Sequence, residues 1–250
     1  MIRRHLILLV WVFIGVAALS GLGVWQLRRL AWKEDLLARI ATRRDAPPVP
    51  LPPPAEWPNL KPQNYDYRHV RLRGIFDHAR ESYLFRASAT GAASGGPGYE
   101  VITPLKLESG GWVFVNRGFV PDQLKDPARR SAGEVAGEVE VVGLMRGPES
   151  RNQFTPPDEP VKNLWFTRDP AALAAHWGLA AAPFSVDADA TPNPGGWPEG
   201  GATVMNIPNN HLSYALTWFA LAATLLAVAA AFIWRKERPV TPPDGREAPS

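Results

Sequence analysis

Residues 6–25 and 212–234 carry no charged side chain, and the long stretch between them is polar. Each apolar run reaches the roughly 20 residues that a helix needs to cross about 30 Å of hydrocarbon. Inside a bilayer only a helix or a closed barrel satisfies its own backbone hydrogen bonds, so runs of this length at both ends leave the chain few options. The expectation is a hairpin that crosses twice, with both tails on one side and residues 26–210 on the other. The first run has a rival reading as a signal peptide, with residues 1–5 as a basic lead and Ala18-Leu19-Ser20 before a cut at Gly21. Its apolar character continues past that point to Trp25 and stops at Arg28-Arg29, the aromatic and basic border of a retained span. We expect it to be retained.

Basic residues crowd the span ends: Arg3 and Arg4, then Arg28, Arg29 and Lys33, then Arg235, Lys236 and Arg238. Such clusters anchor helices to anionic headgroups. No basic stripe interleaved with aromatics runs through the middle of the chain, so the expected partner is the lipid bilayer and not nucleic acid. Long translocated segments are largely exempt from the positive-inside count, so the short basic tails decide orientation. They place both termini in the cytoplasm and the centre outside it. Cysteine is absent, which excludes disulfides, thiolate catalysis and thiolate-held copper or iron–sulfur centres.

The chain divides into a tail (1–5), a first span (6–25), a helical extension (26–45), a proline-rich linker (46–64), a β-rich extracytoplasmic domain (65–206), a second span with its lead-in turn (207–234) and a disordered tail (235–250). In the extension, Leu27, Leu30, Leu36, Leu37 and Ile40 sit near helical spacing. Short β-type runs fill 68–76, 81–86, 99–107, 111–116, 138–145, 163–167 and 183–187, with a glycine-rich loop at 89–98. Asp169 is placed to cap a helix that starts at Pro170 and stops at Gly178. The expected fold class is an α+β membrane protein: two transmembrane helices flank a mainly antiparallel β domain with one or two helices, as a small sheet or partly closed barrel.

Chemistry concentrates at the second span. A histidine at the lip of a membrane helix is costly enough to need a reason. His211, Tyr214, Ala215 and Trp218 fall at spacings of three, four and seven, hence on one helical face. A ring nitrogen, two aromatics and a small residue suit a flat apolar ligand such as a porphyrin, and histidine is a common axial ligand to heme iron. The competing reading is an interfacial histidine with ordinary belt aromatics. In a hairpin the end of the first span and the start of the second share one level, so Trp25 and Gln26 belong near Asn209, Asn210 and His211. Gln26 is then placed to bond the histidine and fix its tautomer. Ala17 with Gly21, and Ala223 with Ala227 and Ala231, offer small faces for close helix approach, either to each other or to partner spans. Val115-Asn116-Arg117-Gly118-Phe119-Val120-Pro121 reads as a strand end in a tight turn, where Arg117 either closes the turn or holds a propionate or a partner carboxylate. His69, His78 and His176 stand singly, Glu138 and Glu140 alternate as solvated strand residues, and no serine or threonine is matched to a base. Nothing argues for an enzyme.

Gly23-Val24-Trp25-Gln26-Leu27-Arg28-Arg29, the 67–76 segment, the Val115 to Pro121 motif and Pro208-Asn209-Asn210-His211-Leu212-Ser213-Tyr214-Ala215-Leu216-Thr217-Trp218-Phe219 occur together here. In that combination, over about residues 6–236, the chain resembles the surfeit-locus family of cytochrome c oxidase assembly factors, the Surf/Shy type. The resemblance implies two spans, an extracytoplasmic domain and a role in building the heme a centre of the oxidase's largest subunit. It implies heme a as a transient ligand, with iron at His211, and with Tyr214, Trp218, Trp25 and Gln26 around the macrocycle. The largest oxidase subunit is the implied partner, with heme a synthase a further one. Phe119 stands where many relatives carry tryptophan, a mild aromatic exchange. The short lead before the first span fits a bacterial inner-membrane protein. Two other classes stay open. One is a scaffold that stabilises an assembly intermediate without touching heme. The other is an extracytoplasmic ligand-binding or sensor module using the 89–98 loop as a lid.

Overall fold

The computed structural model describes residues 2–87, 96–201 and 209–237. Most of the glycine-rich loop, the 207–208 lead-in turn and the tail from 238 lie outside the described residues. The chain forms two compact units, residues 1–37 with 207–250, and residues 38–206.

The first helix, α1 (Ile2–Arg44), runs unbroken because no proline occurs before Pro47, and it closes with Arg43 and Arg44 at its carbonyl end. Its last turns, from Ala38, belong to the second unit. There Ile40 is buried and Arg43 donates to the Gln63 carbonyl at 2.9 Å.

The second unit holds β1 (Val49–Pro50), the single turn α2 (Pro62–Tyr65), β2 (His69–Phe76), β3 (Ser82–Arg86), β4 (Gly98–Leu107), β5 (Trp112–Pro121), β6 (Glu138–Arg146), β7 (Leu164–Trp165), α3 (Pro170–Trp177) and β8 (Ala181–Ala188). The sheet order is β1-β2-β6-β8-β5-β4-β3-β7, and a further pairing of β2 with β4 closes β2, β6, β8, β5 and β4 into a ring. Closure is possible because Gly74 pairs on both sides, with Val139 and Leu107. A Cβ there would lie 2.1 Å from the Lys106 carbonyl oxygen. The result is a small barrel, antiparallel except where β5 meets β8, β1 meets β2 and β3 meets β7. All five ring strands contribute to one core, including Val70, Leu105, Val113, Met145 and Phe184. A second core, Leu84, Ile102, Phe114, Trp165 and Leu173, lies beneath α3. That helix starts where Asp169 accepts from Ala171 N and Ala172 N, and stops at Gly178 with φ +64°.

Residues 46–64 are not a linker. Their prolines favour extended backbone, and an edge strand tolerates the missing N–H, so β1 adds in parallel to β2 with Val49 opposite Val70. Trp57 then enters the core, edge-on to Phe184 at 5.8 Å, with its indole N–H donated to the Pro52 carbonyl at 2.9 Å.

The last helix, α4 (His211–Glu237), joins α1 in the first unit; both are long and apolar enough to cross a membrane. Ala215, Ala222 and Ala229 are its buried positions, one every seventh residue, the repeat of a left-handed helix pair. Opposite them α1 supplies its own space. A Cβ on Gly15 would lie 2.8 Å from Leu225, and one on Gly23 would lie 2.7 Å from the Phe219 ring. The small faces expected from four-residue spacing are not the ones used. Nothing lies within 4 Å of a Cβ on Gly21, and Ala17, Ala223, Ala227 and Ala231 are exposed. A four-residue stripe drifts around the helix, whereas the contact follows the seven-residue seam.

Candidate functional site

His211 is the first residue of α4, and Gln26 is a buried polar side chain of α1 within the same unit. The imidazole Nδ1–H donates to the Gln26 Oε1 at 2.7 Å. A carboxamide oxygen only accepts, so this bond places a proton on Nδ1. Nε2 makes no hydrogen bond among the described residues. The approach of the two helices that brings these groups together depends on the small seam residues, Gly23 beneath Phe219 and Ala215 at 1% exposure. Trp218 is half-buried beside the seam, whereas Tyr214 and Trp25 are more than half exposed on the apolar surface. Asn209, two residues before the histidine, has a buried Oδ1 with no hydrogen-bond partner. The backbone carbonyl of Asn210 accepts the first helical bond, from Tyr214 N at 3.2 Å.

An imidazole whose Nδ1–H is tied to an oxygen acceptor has the hydrogen-bonding arrangement of a metal-ligating histidine, for which Nε2 would be the ligand atom. The structure therefore brings together the two residues on which a heme site would depend, His211 and Gln26. Trp218, Tyr214 and Trp25 lie on the same two helices, and no ring contact joins them to that pair among the described residues.

Arg117 has a different place from the one expected. Gly118, at φ +122°, does not end a strand in a turn; β5 continues to Pro121. Asn116 pairs with Ile102 and Phe119 with Glu100, so Arg117 and Gly118 together oppose Val101 as a bulge. A mid-strand glycine with positive φ is read from sequence as a turn, because both need the same conformational freedom. Here it lets the Glu199 carbonyl approach to 2.0 Å from where a Cβ would sit. The bulge turns Arg117 inward, where it is 2% exposed and stacks on Phe76 at 4.9 Å. Its guanidinium donates to the Gly133 carbonyl and to Asn193 Oδ1 at 3.2 Å, faces His78 Nδ1 at 3.4 Å, and lies 3.6 Å from Glu81. Burial pulls its pKa below the ordinary value against the attraction of Glu81. With these donors committed internally, Arg117 serves the barrel as a structural cation.

Sequence reasoning missed the cluster around it. Glu81 binds Arg130 at 2.5 Å and accepts from Tyr83 and Thr103 at 3.4 Å. Burial alone would raise the Glu81 pKa. Hydrogen bonds from His78 and Arg130, with the charges of Arg130 and Arg117, instead hold it at about 2. His78, Glu81 and Glu134 bring possible ligand atoms within 4.8 Å of one another. Two guanidinium groups on the same carboxylate already supply the cations, so this is an ion-pair cluster and not a metal centre. Its partners are scattered from position 78 to 193, and no local spacing announces it.

The sequence model of a group described as the SURF1 family matches residues 13–223, a span that contains both Gln26 and His211. Surfeit locus protein 1 of Mus musculus is 37% identical over 236 residues, covering 90% of this chain and 74% of the mouse protein. The Homo sapiens protein of the same name is 36% identical over 240 residues, covering 91% of this chain and 76% of its own length. The Takifugu rubripes protein is 36% identical over 238 residues, covering 90% and 94%.

Proposed function

The chain belongs to the SURF1 family, and from that premise we propose that it is a non-catalytic assembly factor for heme–copper cytochrome c oxidase. It holds heme a through His211 and assists its insertion into the largest oxidase subunit. One observation carries the reading: His211 Nδ1–H bonds Gln26 at 2.7 Å at the start of an apolar helix, and Nε2 has no hydrogen bond among the described residues. The cargo brings an iron with an axial position to fill and a large apolar ring. On the protein side, Gln26 fixes the tautomer and heading of the imidazole, and Nε2 supplies the ligand. Trp218, Tyr214 and Trp25 offer aromatic surface to the ring. A single histidine with three aromatics, two of them more than half exposed, suits a site that loads and unloads, as delivery requires.

In this reading the two helices cross the bacterial inner membrane with both tails cytoplasmic. The barrel faces outward and docks the partner subunit, and heme a synthase is the natural source of the cargo. The test is the reduced-minus-oxidised spectrum of detergent-purified protein from a host that makes heme a, beside His211→Ala. A heme a band in the wild type that disappears in the variant supports the reading. Equal heme in both removes His211 from the site. A folded wild type without heme favours a scaffold that never touches it.

A further inference from the structure

The two sides of β6 are paired unequally. On one side β2 runs beside it from Glu138 to Leu144; on the other β8 joins it only from Gly143 to Arg146. Past Ala188 the chain leaves the sheet, and a last bond from Asp189 N to the Val142 carbonyl, at 2.9 Å, marks where pairing stops. Alternate residues of a strand aim their backbone groups to the same side, so Glu140 points its N–H and carbonyl the way Val142 does, away from β2. Neither group has a backbone partner there among the described residues. A cavity of about 200 Å³ is lined by Val139, Glu140, Val141 and Val142 in succession. Neighbouring strand residues face opposite sides of a sheet, so a cavity touching four in a row runs along the strand's edge. Phe76, Val135 and Pro192 give it apolar walls. Arg117, 2% exposed, lines it too, and the Nε–H of that guanidinium has no hydrogen bond among the described residues. At the start of the open edge, Glu108, Glu138 and Glu140 surround Arg73, which donates to Glu140 at 2.8 Å. A hydrogen bond with Glu138 pushes the Glu108 carboxyl above its ordinary value. We propose that this edge is a docking site for an extended, basic segment of a partner protein, which adds to β6 as a strand in line with β8.

The groups left open define the occupant. A lipid chain offers Glu140 neither donor nor acceptor, and a helix spends its backbone bonds on itself. An extended peptide supplies both a carbonyl for the Glu140 N–H and an N–H for its carbonyl. A peptide carbonyl is also the acceptor that Arg117 Nε–H lacks, and one apolar side chain of such a strand fills the cavity. Exposed strand edges are normally guarded against other chains, often by charge. Here the guard has one sign, so it repels acidic segments and favours lysine or arginine beside the apolar anchor. A second copy of this chain pairing by the same edge would set like charges opposite one another. The site gives a place to the docking role proposed for the barrel. It lies within the second unit and needs no heme, so it is tested apart from the reading of His211.

The test is selection of a displayed library of random dodecapeptides on the full-length, detergent-purified protein without heme. Titration of the recovered peptide and amide hydrogen exchange of its complex follow. The recovered sequences should alternate apolar with polar residues and carry lysine or arginine, and binding should slow exchange at the Glu140 amide. Glu140→Pro removes that N–H while sparing the β2 ladder, and should weaken the peptide about tenfold, the worth of one good hydrogen bond. Glu140→Gln keeps the N–H and should cost no more than about threefold, the weight of a surface charge. Equal losses in the two variants would reduce the edge to an acidic patch and overturn the strand. Unchanged exchange at Glu140 in the saturated wild type would do the same, whether or not a variant folds. A selection that yields no peptide, or acidic ones, would show that the carboxylates only guard the edge. That result overturns the proposal and leaves heme carriage at His211 untouched.

Discussion

Glu81 shows how much one side chain can matter where its neighbours have no alternative. The carboxylate is 3% exposed and holds Arg130 and Arg117, which are themselves 4% and 2% exposed. Removing the negative charge leaves two cations buried together, and breaking such a pair costs about 3 kcal/mol or more. Glu81→Gln should therefore lower the unfolding free energy of the barrel by that amount, read as a fall in its denaturant midpoint. The pH dependence has a definite sign. The folded-state pKa, about 2, lies below the ordinary 4.5, so the unfolded chain binds the proton more readily. The stabilisation, about 3 kcal/mol, is fully present above about pH 4.5 and is lost as pH falls towards 2. A stability–pH series should show this slope in the wild type and lack its Glu81 component in Glu81→Gln; identical slopes would show that Glu81 is not held as described. The pair at the membrane level was easier to read than this cluster. A hairpin forces the end of one span beside the start of the other, so Gln26 and His211 met by topology alone. Glu81, Arg117 and Arg130 meet only because β3, β5 and a loop converge in space, and the bulge that turns Arg117 inward looks in sequence like a turn.

At the scale of elements, hydrophobic alternation located most of the strands, and the Asp169, Pro170 and Gly178 signals marked both ends of α3. Proline density misled between residues 46 and 64. Proline fixes φ without saying whether the extended segment packs, and here an edge strand and a buried indole make it part of the barrel. The same segment yields a sharp expectation. Trp57 is 7% exposed, meets Phe184 edge-on and bonds Pro52. Truncating a buried tryptophan costs about 3–5 kcal/mol, so Trp57→Ala should lower the thermal midpoint of the barrel markedly. A flexible linker would show almost no change, and calorimetry of the purified protein distinguishes the two. The seam between the two helices of this chain was not legible for a related reason. Small residues every four positions describe a stripe, but which stripe is used depends on partner side chains such as Phe219 and Leu225, whose seats on Gly23 and Gly15 exist only in the folded pair.

For the molecule as a whole, His211 and the buried ion pairs around Glu81 lie in different compact units. Energetic coupling between side chains runs through shared contacts or a common hydrogen-bond network, and sites without either add independently to within a few tenths of a kcal/mol. Under the proposed function, the division would assign the cargo to the helix pair and docking to the barrel. It also sets a quantitative expectation for combined variants. His211→Ala should abolish the heme band and leave the barrel's unfolding midpoint where it was, because the imidazole contributes nothing to the cores of the second unit. Glu81→Gln should shift that midpoint and leave heme affinity within about twofold. In the double variant the two effects should simply superimpose. A heme affinity that falls with Glu81→Gln alone, in protein still folded at the titration temperature, would mean that the barrel helps to form the heme site. The carrier would then have to be understood as one site built by both units.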